Sequence, residues 1–258
     1  MSDLLADKTT VVTGGASGIG REMCRQFAEH GADVVIADIR ENPRDADETT
    51  MDLLSDVDGT EYEFVQADVT KEADHERIME AARNLGGLDV MVNNAAIIDS
   101  RIPVTEYDLE DFETIVDINY RGVFLGCQHA AREMSDNDGG SIINMSSIDA
   151  IRGPSGLAPY SGTKGAVMAF TYAFAAEVGP DGIRVNTIHP GATWTQMTVA
   201  DSGGLGTETA EERKELVPLR RYAEPVDIAN AAVFLASDLA GYVTAESIVV
   251  DGGFCNTS

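Results

Sequence analysis

The feature that most constrains the fold is an alternation that runs the length of the chain. Short runs rich in apolar and β-branched residues, "TTVVTG", "ADVVIAD", "YEFVQAD", "LDVMVNN", "GSIINMSS", "IRVNTIHP" and "ESIVVDGG", recur between stretches with helical periodicity. Those stretches predict helices over Ile19–His30, near Asp47–Leu54, and over Glu72–Leu85, Tyr107–Met134, Tyr160–Val178 and Val226–Ser237. The runs are nearly continuous in apolar character, as strands buried on both faces require. Alternating strands and helices then predict the α/β class: a doubly wound, Rossmann-type parallel sheet of about seven strands with helices on both faces. No repeat, low-complexity tract or linker interrupts the 258 residues, so residues 1–258 read as one domain. The exception is Ala192 to Pro225, a long segment rich in Gly, Thr and Glu with little strand signal, which reads as a mobile substrate lid.

Charge narrows the partners. Forty-four acidic against 18 basic residues give a formal net charge of −26. Such a surface repels nucleic-acid phosphates and anionic membranes. It also repels itself unless salt screens it, and in this the composition resembles proteins of extreme halophiles. No apolar run approaches the roughly 20 residues that span a bilayer, and "MSDLLADKTT" lacks the features of a signal peptide, so a cytoplasmic location is expected. Cys24, Cys127 and Cys255 are far apart, and His30, His75, His129 and His189 equally scattered, so no metal site is expected.

The turn "TGGASGIG", Thr13 to Gly20, joins the first strand to the first helix. Its glycines, Gly14, Gly18 and Gly20, fit neither G-x-G-x-x-G nor the G-x-x-x-x-G-K-[ST] phosphate loop. Glycines here let backbone N–H groups approach phosphates at a helix N-terminus; a tight strand-helix turn with no ligand is the plainer alternative. Asp38 ends the second strand about 20 residues on, where an acidic side chain can accept hydrogen bonds from an adenosine ribose. Asp68, ending the third strand, is placed to reach the adenine. Each alone could be an ordinary strand-end aspartate. In "YSGTK", Tyr160 and Lys164 stand four apart on one helical face, where an ammonium would lower the phenol's pKa towards that of a general base. Ser147 ends the fifth strand in "INMSS" and offers a hydroxyl nearby.

With "NNAA" at Asn93 to Ala96, Asn119 in "DINYRGVF", "HPGATWT" at His189 to Thr195 and "VDGG" at Asp251 to Gly253, these motifs make the chain resemble the short-chain dehydrogenase/reductase family over essentially its whole length. The resemblance implies a catalytic set: Tyr160 exchanging a proton with the substrate oxygen, Ser147 hydrogen-bonding that oxygen, Lys164 tuning Tyr160 and holding the nicotinamide ribose, and Asn119 fixing a water that links Lys164 to solvent. It implies cofactor contacts at Gly14, Ser17, Gly18, Ile19, Gly20, Asp38, Asp68, Val69, Asn94, Ala95, Tyr160, Lys164, Pro190, Gly191, Thr193 and Thr195. It places the substrate among Ile97, Ile98, Asp149, Ile151, Trp194 and Met197.

Two positions depart from the family, Ala96 and Ala245, where relatives usually carry glycine. Asp38 would repel a 2′-phosphate, and Ser17 and Ile39 are neutral where NADP-preferring relatives often carry a basic residue, so NAD is the expected cofactor; Arg40 and Arg44 stand close by. A mostly apolar pocket suggests a small secondary alcohol or ketone. Asp149 keeps a sugar or polyol open, and Arg152 a 3-oxoacyl thioester. A catalytically silent NAD-binding regulatory protein is the alternative from another class, against which the complete catalytic set argues. No G-x-S-x-G surrounds either serine, which excludes the usual hydrolase elbow. The helices from Tyr107 and Tyr160 resemble the family's subunit-contact helices and imply a homotetramer.

Overall fold

The computed structural model describes residues 3–44, 46–99, 101–137, 139–201 and 214–257. All seven expected strands form: β1 (Thr9–Thr13), β2 (Asp33–Asp38), β3 (Tyr62–Gln66), β4 (Val90–Asn93), β5 (Gly140–Met145), β6 (Ile183–Pro190) and β7 (Ser247–Val250). They make one sheet in the order β3-β2-β1-β4-β5-β6-β7, with every pair parallel. The chain therefore winds outward from β1 to β3, crosses back, and winds the other way from β4 to β7. Between the ends of β1 and β4 the winding reverses, and open α/β sheets bind ligands in the crevice that this reversal creates.

Period-two alternation within the strands feeds two apolar layers. Val12, Val34, Ile36 and Val92 pack with Met23 and Phe27 of α1 (Gly18–Glu29) on one face. Val11, Val35, Ala37 and Met91 pack with Ile78 and Met79 of α3 (Glu72–Asn84) on the other. Each Val, Ile, Met or Phe among them contributes about 1.5–3 kcal/mol on full burial, and both faces need them, which is why the strands read as almost continuously apolar.

Helix boundaries follow local chemistry. α2 (Thr50–Leu54) begins after Thr49, whose side chain forms a capping box with Asp52. The stretch predicted as one helix over Tyr107–Met134 is instead α4 (Leu109–Val116), a π-helical turn at Asp117–Arg121, and α5 (Gly122–Ser135). Asp108 caps the start of α4 by accepting from Glu110 N at 2.8 Å, leaving Tyr107 outside. A one-turn helix, α6 (Asp149–Arg152), follows β5, and α7 (Ala158–Val178) starts two residues before Tyr160 with Pro159 in its first turn. α8 (Pro225–Ala236) packs against α1, and α9 (Phe254–Thr257) ends the described chain.

Residues 202–213 of the expected lid lie outside the described residues. Its two described ends are tied together, because Thr193 and Ala223 form a parallel bridge and Trp194 N donates to Ala223 O at 2.9 Å. Among the described residues no helix is long and apolar enough to cross a membrane, and no cluster of His, Cys, Asp and Glu could hold a metal ion.

Candidate active site

The glycine turn is built so that side chains cannot enter it. Gly14 has φ +65°, and a Cβ there would stand 2.9 Å from Asn94 Nδ2 and 3.0 Å from Ala95 Cα. A Cβ on Gly20 would stand 2.2 Å from the Gly14 carbonyl oxygen, so α1 closes on the turn only without one. Asn94 clamps the turn from the end of β4, its Nδ2 donating to Thr13 O at 2.9 Å and Gly14 O at 3.3 Å. Asp38 clamps it from β2: Oδ2 accepts from Ala16 N at 3.1 Å and Oδ1 from Arg40 N at 3.3 Å. Burial raises the Asp38 pKa, and these backbone donors oppose the rise.

A cavity of about 730 Å³ opens along the carboxyl ends of the strands. Gly14, Ser17, Gly18 and Ile19 line it from the turn, Asp38, Asp68 and Val69 from β2 and β3, Asn94 and Ala95 from β4, and Pro190, Gly191, Thr193 and Thr195 from β6 onward. Ile97, Ile98, Asp149 and Met197 line it too, with Ser147, Tyr160 and Lys164. A backbone-walled turn at a helix N-terminus, with a carboxylate at the end of the next strand, fits a nicotinamide dinucleotide.

Four residues of the three expected sets, catalytic, cofactor and substrate, do not line the cavity. Gly20 lies behind Gly14, where its lack of a side chain serves packing. Asn119 is fully buried in the π-helical turn, where Oδ1 accepts from Ile97 N at 2.8 Å and Nδ2 donates to Ile97 O at 2.9 Å and Thr163 Oγ1 at 3.3 Å. Both amide functions thus hold the strand-end backbone, and Ile118 beside it is brought to the cavity wall. π-turns often mark functional positions in this way.

Ile151 and Trp194, expected in the substrate wall, stand outside it at 50% and 39% exposure. In α6 residues three apart share a face, so Asp149 and Arg152 meet the cavity and Ile151 turns away. In the bridged segment Thr193 and Thr195 share one side and Trp194 takes the other, edge-on to Tyr222 with ring centroids 6.0 Å apart. The cavity also takes in Arg101, Leu157, Val217, Tyr222 and Phe254, which carried no local sequence signal.

The reactive side chains converge from β5 and α7. Ser146 Oγ donates to Lys164 O at 2.9 Å and Lys164 Nζ donates to Met145 O at 2.8 Å, pinning the helix to the strand end. Ser147 Oγ accepts from Asp149 N at 3.1 Å and hydrogen-bonds the Tyr160 side chain. His189 Nδ1 lies 3.0 Å from Ser147 O and braces that residue from β6. The expected lowering of the Tyr160 pKa is not met by the protein alone. Burial pushes the phenol up and Asp149 pushes it further, while only the Ser147 hydrogen bond pulls it down. Lys164, 5.8 Å from the ring centroid, is itself lowered to about 8 by burial, so both groups resist charge. Tyr160 in this state is a neutral phenol, the form that can give a proton to a carbonyl oxygen.

Comparison with known proteins bears on this arrangement. The family described as enoyl-(acyl carrier protein) reductase matches residues 14–255. (+)-Borneol dehydrogenase 2 of Salvia officinalis is 38% identical over 98% of this chain and 91% of its own. The 3-alpha-(or 20-beta)-hydroxysteroid dehydrogenase of Mycobacterium tuberculosis is also 38% identical, over 98% of this chain and 91% of its own. The crystal structure of levodione reductase superimposes with a TM-score of 0.90 at 32% identity, covering 98% of this chain and all of that one. A parallel sheet that reverses at a glycine turn, a Ser-Tyr-Lys cluster in the same cavity and this near-full-length similarity agree: the chain belongs to the short-chain dehydrogenase/reductase family of oxidoreductases.

Proposed function

We propose that the protein is an NAD-dependent dehydrogenase acting on a small secondary alcohol, or reducing the matching ketone. The observation that carries this reading is the meeting of Ser147, Tyr160 and Lys164 in one cavity with the glycine turn and Asp38. A bound nicotinamide would give or take the hydride and, in its oxidised form, bring the positive charge that favours the phenolate. Tyr160 moves the proton at the substrate oxygen, and Ser147 donates a hydrogen bond to that oxygen as charge develops. Lys164, held on the Met145 carbonyl, keeps its other donors close to the tyrosine and the ribose position, while Asn119 fixes the Ile97 backbone that walls the substrate. Asp38 supports NAD over NADP through its charge, and Gly14, Gly18 and the α1 N-terminus support the pyrophosphate.

We place the enzyme in the cytoplasm and read it as a homotetramer; Phe124 of α5 and Tyr172 of α7, which present aromatic surface at 41% and 40% exposure, support the subunit contact. A 3-oxoacyl thioester stays as the second substrate reading because a relative 36% identical over 98% of this chain is a 3-oxoacyl-[acyl-carrier-protein] reductase and Arg152 lines the cavity. The test is a panel of secondary alcohols, sugars and 3-hydroxyacyl thioesters with NAD+, followed by absorbance of the reduced nicotinamide. Turnover of the alcohols is expected. NAD binding with no turnover anywhere on the panel would instead support a silent binding protein.

A further inference from the structure

Resting on the dehydrogenase reading, we propose that Asp149 selects the substrate: its carboxylate accepts a hydrogen bond from a second donor group, a hydroxyl or an ammonium, next to the reacting carbon. Small diols, polyols and amino alcohols, with their ketones, are then preferred over plain secondary alcohols.

The argument begins with the placement of the carboxylate. Asp149 opens α6 and faces the cavity that holds Ser147 and Tyr160. Its own backbone N–H is bonded to Ser147 Oγ at 3.1 Å, which sets the carboxylate beside the hydroxyl expected to hold the reacting oxygen. Ile97, Ile98, Ile118, Leu157 and Met197 give the same cavity apolar walls. A carboxylate among such walls pays a desolvation cost unless donors reach it.

No described residue brings such a donor. Among the described residues neither carboxylate oxygen of Asp149 receives a hydrogen bond or an ion pair within 4.0 Å. Arg101 and Arg152 act on it only through their charge. Arg101 is committed to Ser155 O at 2.8 Å, and Arg152 lies 4.0 Å from the Phe254 ring centroid. The other groups in electrostatic reach of this cluster are Tyr160 on α7 and Cys255, itself bonded to Asp251, in the C-terminal segment. Burial outweighs both arginines, so the Asp149 pKa stays raised. A partly buried acceptor of this kind gains most from a ligand that supplies the missing donor, and it penalises an analogue that lacks one.

The test compares kcat/KM for 2-butanol, 2,3-butanediol and 3-amino-2-butanol with NAD+ in the wild type, Asp149→Ala and Asp149→Asn. The wild type is expected to favour the diol and the amino alcohol over 2-butanol by at least about tenfold. In Asp149→Ala both ratios should fall towards one. In Asp149→Asn, which keeps the shape and covers failure of the alanine variant to fold, the diol should retain part of its advantage and the amino alcohol lose it, because only the charge is removed. Equal efficiency for all three substrates, or ratios unmoved by either substitution, overturns this inference and leaves the dehydrogenase reading standing. No turnover of these three while another alcohol of the panel reacts overturns this inference alone; no turnover anywhere on the panel, with NAD+ still shifting the melting temperature, overturns both.

Discussion

Asp38 has two tasks, and substitution can separate them. Its carboxylate holds the glycine turn through Ala16 N, and its charge is what should discriminate between the two dinucleotides. Asp38→Asn keeps an acceptor for Ala16 and removes the charge. A hydrogen bond to a charged group contributes about 1.5–3 kcal/mol and a neutral one about 0.5–1.5 kcal/mol, so each of two ribose bonds should weaken by about 1 kcal/mol. The sum, about 2 kcal/mol, lowers kcat/KM with NAD+ roughly thirtyfold. With NADP+ the same change removes repulsion of the 2′-phosphate, and efficiency should rise. Asp38→Ala goes further, because the Ala16 N–H is also left without its partner. That loss, about 1–3 kcal/mol, falls on both cofactors alike. Both variants should therefore move the NADP/NAD ratio upward, but only Asp38→Asn should gain absolute activity with NADP+. The assay is initial-rate kcat/KM for both cofactors at one pH, so that the burial-raised pKa of Asp38 enters both measurements alike. An unchanged ratio in Asp38→Asn refutes the argument and assigns the ribose to Arg40 or Arg44, which line the same cavity.

Tyr160→Phe should lower kcat by about 10²–10⁴-fold while cofactor affinity, read by fluorescence titration, changes little. Lys164 is pushed from 10.5 to about 8, which corresponds to about 3 kcal/mol of destabilisation below pH 8 that fades as pH rises to 10.5. Lys164→Met should thus unfold at higher denaturant concentration than the wild type at pH 7, by less than that figure because Met145 O loses its donor, and the gap should narrow by pH 10. Ala245 has φ +57°, a left-handed conformation in which an alanine is strained, so Ala245→Gly should gain about 1 kcal/mol or a melting temperature about 2–4 °C higher. With a net charge of −26, thermal stability should rise from low to molar KCl, and a flat melting temperature over that range would remove the basis for a halophile-like surface.

What the sequence determined by itself was whatever short-range pattern encodes. All seven strands stand where the apolar runs put them, because burial on both faces leaves a local signature. The glycine turn and the Tyr160–Lys164 pair were legible for the same reason, since the first is fixed by steric exclusion around Gly14 and the second by the helical repeat. The boundaries of the long Tyr107–Met134 helix were not, because its π-turn answers to Ile97, 22 residues before Asn119.

Only the tertiary structure decided which side chains share the cavity. Asp149 rather than Ile151, and Thr193 and Thr195 rather than Trp194, face it because of how α6 and the Thr193–Ala223 bridge are rotated against the sheet. Arg101, Val217, Tyr222 and Phe254 reach it from segments far apart in the chain. The protonation of Tyr160 was decided there as well. Spacing on a helix put an ammonium near the phenol, but desolvation by the packed chain and the charge of Asp149 act on Tyr160 through space, and no local pattern records them.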